Sequence, residues 1–198
     1  MPSFTQPQLL PSRLRLLIGI LLLAAMYLTR GHHFVSAVYL PSASLAVFFL
    51  AGRYLRHWFS WPGFFLAAFA FDYALISYKG TSNYCMTLSY AFLILSYGAM
   101  WLAGFYSQGL KVTSVPSLLH LAAIASLATL LAFVISNGAF YWLSGRYPEA
   151  NWAEYLQRFF HYLPAAMAKP WFWLGISAVS EGVFSLVRRD TLARKLSA

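Results

Sequence analysis

Two stretches of this chain, 80–110 and 112–145, contain no Asp, Glu, Lys or Arg. A helix needs roughly 20 predominantly apolar residues to cross a hydrocarbon layer about 30 Å thick, and no soluble core requires charge-free runs of this length. Composition agrees. With 60% hydrophobic and 10% charged residues and a mean hydropathy of +0.61, a chain of 198 residues has too little polar surface to coat a soluble globule. The expected fold is therefore all-α, a polytopic membrane bundle of about six transmembrane helices forming a single transmembrane domain over residues 1–198.

Charges and helix breakers predict spans at 16–29, 36–51, 62–78, 86–106, 115–142 and 164–187. The first is short, but Arg13 and Arg15 can snorkel to the headgroups, and Pro41, Pro164 and Pro170 mark kinks or starts. A cleaved secretory signal is disfavoured, because Ala24-Ala25-Met26 followed by Tyr27 and Arg30 is a poor cleavage site. In the connection 143–163, Trp152, Tyr155, Leu156, Phe159, Phe160 and Leu163 recur at helical spacing, while Glu154, Gln157, Arg158 and His161 take other positions. This pattern predicts an amphipathic helix lying on the outer membrane surface, as an anchor or as a lid over a pocket.

Cytoplasmic loops are enriched in Lys and Arg. One side of the bundle collects Arg13, Arg15, Arg53, Arg56, Lys111, Arg188, Arg189, Arg194 and Lys195; the other has Arg30, Lys79, Arg146 and Arg158, diluted by Glu149 and Glu154. Both termini are therefore expected in the cytoplasm. The net charge of +9 reads as an orientation signal; its spread over several segments argues against a nucleic-acid partner and leaves the lipid bilayer as the expected one.

This orientation sends five reactive groups to the outer side. His33 follows His32 in the first outer connection, and Asp72 lies about 9 Å below the outer end of the third span at 1.5 Å per residue. Cys85, the only cysteine, follows a polar Gly-Thr-Ser-Asn turn; Tyr90 sits on the first outer turn of the fourth span and Arg158 on the surface helix. Each has an ordinary explanation. A lone cysteine is commonly a small apolar residue, His33 can be an interfacial histidine, and Tyr90 is one tyrosine among thirteen. Arg158 can simply pair with Glu154 one helical turn away. Two features favour function. A carboxylate within a span is costly unless paired, hydrated or used, and Cys85 stands near Lys79 in a polar turn, where a cation favours the thiolate, a nucleophile and soft metal ligand. Lys169 and Glu181 in the sixth span share the logic of Asp72, but either could sit near an interface.

The chain has no G-x-x-x-x-G-K-[ST], no C-x-x-C, no C-x-x-C-H and no H-E-x-x-H. A nucleotide motor of its own, a c-type haem site and a zinc protease centre are thus disfavoured.

The outer His32-His33, the segment Phe69-Ala70-Phe71-Asp72-Tyr73, the loop Asn83-Tyr84-Cys85-Met86-Thr87-Leu88-Ser89-Tyr90 and Arg158 together resemble the BtuM family of bacterial cobalamin-uptake proteins. These are similar to the substrate-binding S-components of energy-coupling-factor transporters. The resemblance covers essentially the whole chain. It implies cobalamin, as bound substrate, taken from the periplasmic side of the bacterial inner membrane. It implies Cys85 as the axial ligand to cobalt, with the nucleotide base displaced and cyanide lost from cyanocobalamin in a cysteine-dependent reaction. His33, Asp72, Tyr90 and Arg158 would line the pocket, with His33 a second candidate for the metal, and any coupling module would be encoded elsewhere. The rival expectations are a ligand-free sensor or assembly module, and a haem- or quinone-linked carrier. The carrier is disfavoured because only His120 is a plausible intramembrane histidine.

Overall fold

The computed structural model describes residues 10–30, 40–79 and 87–196, and their side chains except at 79 and 188–196. Among these residues there are six α-helices, one short 3-10 turn and no strand. The helices are α1 (Ser12–Arg30), α2 (Ser44–Leu55), α3 (Ser60–Lys79), α4 (Leu93–Tyr106), α5 (Val115–Leu143) and α6 (Trp152–Leu196); the 3-10 turn Leu88–Phe92 runs directly into α4.

Four stretches, Ser12–Arg30, Leu88–Tyr106, Val115–Leu143 and Trp152–Val187, are long and apolar enough to cross a membrane. Their outward surfaces are apolar too: Leu16, Ile20, Leu119, Leu127, Val179 and Phe184 are all exposed, as lipid-facing side chains must be. The described residues thus have the character of a helical membrane protein. The other two helices depart from that pattern. The 20 residues of α3 reach the required length, but Asp72, Lys79 and a Ser-Trp-Pro-Gly start dilute its apolar character. The 12 residues of α2 rise only about 18 Å.

Short as it is, α2 is the hub, touching α1, α3, α4 and α6. It is buried at Ser44 and continuously from Ala46 to Arg53, as expected of a helix apolar on every face. Its closest neighbour is α4. A Cβ on Gly104 would fall on the Phe49 carbonyl, and one on Gly52 would fall on the Trp101 carbonyl, so the backbones meet where side chains are missing. Phe48 stacks on Tyr97 across the same interface, with centroids 4.2 Å apart.

Two expectations are corrected. The second helix begins after Pro41 and continues past Ala51 to Leu55, so Arg53 belongs to its last turn rather than to a loop. The guanidinium, 6% exposed, can be buried there because it donates to the Ser107 and Leu110 carbonyls, which follow α4, and to Glu181 of α6. The outer-surface helix expected over 143–163 is not a separate element, because α6 is continuous from Trp152 with Pro164 and Pro170 inside it. Its aromatic positions find partners on α5. Tyr155 is buried against Tyr141 and Trp142, and Phe159 meets Phe133 with centroids 5.0 Å apart. A proline inside a helix removes one hydrogen bond, a loss that membrane helices tolerate where neighbours supply contacts. Pro170 is fully buried.

Candidate functional site

The largest cavity, about 760 Å³, is an apolar cleft between α1, α2 and α6, with Arg53, Arg56 and Glu181 among its few polar lining groups. Polar groups converge more densely on a smaller cavity of about 390 Å³. The chain builds it from helix ends. Arg30 closes α1, Ser44 opens α2, Asp72 lies two turns before the end of α3, Tyr90 belongs to the 3-10 turn and Tyr97 to α4. Ala166, Lys169 and Pro170 of α6 line another wall.

The network at its centre is closed. Arg30 Nε donates to Asp72 Oδ1 at 2.6 Å and Nη2 donates to Oδ2 at 2.7 Å, a bidentate pair with side chains only 10% and 20% exposed. Arg30 Nη1 donates to Ser44 Oγ at 2.9 Å and to the Tyr97 hydroxyl at 3.1 Å, and Nη2 lies 3.4 Å from the Tyr90 hydroxyl. Tyr90 donates to Asp72 Oδ2 at 2.7 Å. All five guanidinium N–H groups thus have partners, and three donors hold the carboxylate. Buried charges survive in a low dielectric only with such pairing.

Arg158 lies elsewhere. It lines a cavity of about 250 Å³ with Asn137, Phe140, Tyr141, Tyr147 and Tyr162. Its Nη2 donates to the Tyr147 hydroxyl at 2.6 Å, its guanidinium sits 4.7 Å from that ring's centroid, and its Nη1 reaches Glu154 at 3.9 Å. The Arg158–Glu154 pairing anticipated from helical spacing is present, but the shorter contact goes to Tyr147. Both cavities are lined from α5, the first by Ser136 and the second by Asn137. Asn137 Oδ1 is buried with no hydrogen-bond partner among the described residues.

Of the five site residues expected from sequence, then, Asp72 and Tyr90 share one cavity and Arg158 lines a different one. His33 and Cys85 lie outside the described residues, as does His32. Sequence reading missed Arg30, Ser44 and Tyr97. Arg30 had been counted only as an orientation charge. The available signal was Asp72 itself, because an intramembrane carboxylate demands a cation.

No family model matches this chain, and no curated protein matches it.

Proposed function

We propose that this chain is a cobalamin-binding transporter of the bacterial inner membrane, S-component-like, with about six spans and both termini cytoplasmic. It takes the corrinoid from the periplasmic side, and the Cys85 thiolate ligates cobalt and promotes removal of cyanide from cyanocobalamin. One observation carries this reading. Asp72 and Tyr90, both named by the family resemblance, are hydrogen-bonded at 2.7 Å across two helices and line one polar cavity inside a membrane bundle.

Three further points support it. The Arg158 cavity is a second polar pocket lined from α5. Cys85 stands five positions before Tyr90 in the chain. The chemistry balances without a redox partner. The thiolate donates an electron pair to cobalt(III) and raises electron density at the metal; the opposite bond weakens, and cyanide leaves as CN⁻ with its own pair while cobalt stays trivalent. The Arg30–Asp72–Tyr90 network fixes the polar wall against which one edge of the ligand rests, and Arg158 meets another edge. His33 serves the opposite face or delivers protons. The chain carries no nucleotide motif; transport requires the bundle to move, and any coupling module that drives it is encoded elsewhere.

The test is an absorption titration of detergent-purified protein with cyanocobalamin, wild type beside Cys85→Ala. The wild type should show a thiolate-type shift and release cyanide, and the variant should do neither. A wild-type spectrum identical to that of the free ligand would leave a ligand-free membrane sensor or assembly module as the better reading.

A further inference from the structure

The 390 Å³ cavity has an unbalanced charge. Arg30 and Asp72 neutralise each other, and their polar atoms are used up within the network. Lys169 lines the same cavity, yet its ammonium makes no hydrogen bond or ion pair with the described residues. It belongs to the membrane-crossing stretch Trp152–Val187, where an ammonium is costly unless it faces a polar cavity or finds an anion. Lys169 is exposed, so the lining of this open cavity offers a ligand one positive charge on a flexible stem, with three donors that have no partner among the described residues.

On the functional reading above, the bound corrinoid offers a counter-charge. The ring with its cobalt is cationic and the amide arms are neutral; the anionic group is the phosphodiester that joins the nucleotide loop to the ring. We infer that Lys169 binds this phosphodiester and so makes the cavity select complete corrinoids over truncated ones that lack the nucleotide loop. Lysine suits the task as a mobile point charge able to follow a phosphate on a swinging arm. Displacement of the base from cobalt frees that arm to reach the cavity wall. A phospholipid headgroup carries the same phosphodiester and is the other source the test must separate.

The experiment is calorimetric titration of the full chain in detergent with cyanocobalamin and with aquacyanocobinamide, which carries the same single cyanide but lacks the phosphodiester, using wild type, Lys169→Gln and Lys169→Arg. The expected result is a wild-type preference for cyanocobalamin of about tenfold, the size of one hydrogen bond to a charged group. Lys169→Gln should lose that preference by weakening cyanocobalamin alone, and Lys169→Arg should keep it. Equal wild-type affinities for the two ligands overturn the inference, as does a Gln variant that weakens both alike. A preference untouched by substitution, with cyanocobalamin binding that falls when phosphatidylglycerol is added, assigns Lys169 to lipid and also overturns it. If Lys169→Gln does not fold, the wild-type ratio and the Arg variant still decide. Wild-type protein that binds neither corrinoid overturns the functional reading itself.

Discussion

The Asp72 carboxylate faces the Arg30 guanidinium fork to fork, at 2.6 and 2.7 Å, joining α3 to the last residue of α1 across 42 positions of sequence. Neither charge could remain there alone. Together they are neutral and tie α1, α3, the 3-10 turn and the start of α2 around one cavity.

Asp72→Asn should therefore be expensive. It strands a buried guanidinium, and breaking one side of a buried pair costs about 3–5 kcal/mol. Thermal unfolding in detergent should show the loss, and the double variant Asp72→Leu with Arg30→Met should recover much of it while binding no corrinoid. A single variant as stable as wild type would contradict the pairing.

Tyr90→Phe removes the 2.7 Å bond to Asp72 Oδ2 and the 3.4 Å contact from Arg30 Nη2, and keeps the ring edge against Phe69. The protein should fold, lose about 1.5–3 kcal/mol of stability, the range for a hydrogen bond to a charged group, and bind cyanocobalamin more weakly. Titration of the folded variant checks this, and unchanged affinity would remove Tyr90 from the site.

Gly104→Ala should abolish monodisperse protein on size exclusion, because its methyl group would occupy the position of the Phe49 carbonyl. Gly175→Ala is the control. Nothing lies within 4 Å of the added carbon, and α6 should gain roughly 0.5–1 kcal/mol from the better helix former. Equal behaviour of the two variants would contradict the close α2–α4 crossing.

At the other end of α2, Arg53→Met leaves Glu181 with the Tyr54 hydroxyl, at 2.6 Å, as its one partner among the described residues, and takes a donor from the Leu110 carbonyl and from the Ser107 carbonyl, which keeps the Leu110 N–H. A loss of several kcal/mol is expected. Glu181→Gln, which keeps an acceptor for Tyr54 and is partly exposed, should cost less. Thermal unfolding of the pair gives the order, and the reverse order would show that Glu181 rather than Arg53 anchors the cluster.

How far the sequence could be read depended on whether the deciding signal was local. The fifth helix, expected at 115–142, is Val115–Leu143, since Pro116 marks its start and an unbroken apolar run fixes its length. Asp72 was identified as significant because a carboxylate in a span is a local anomaly. Its partner was not found, since Arg30 at a helix end looks like any boundary charge and only the fold brings it to α3. Arg53 misled for the same reason, with Glu181 lying 128 positions away. Pro164 and Pro170 were read as kinks or starts, with the sixth span beginning at 164. Pro164 is not a start, because the stripe holding Tyr155 and Phe159 packs on α5 and α6 is helical from Trp152 through both prolines.

The central claim is a sulfur–cobalt bond made by Cys85. Cobalt K-edge X-ray absorption of the purified cobalamin complex tests it most directly. The account predicts one sulfur neighbour on cobalt in the wild type that disappears in Cys85→Ser, and a wild-type shell of nitrogen, carbon and oxygen alone would contradict it.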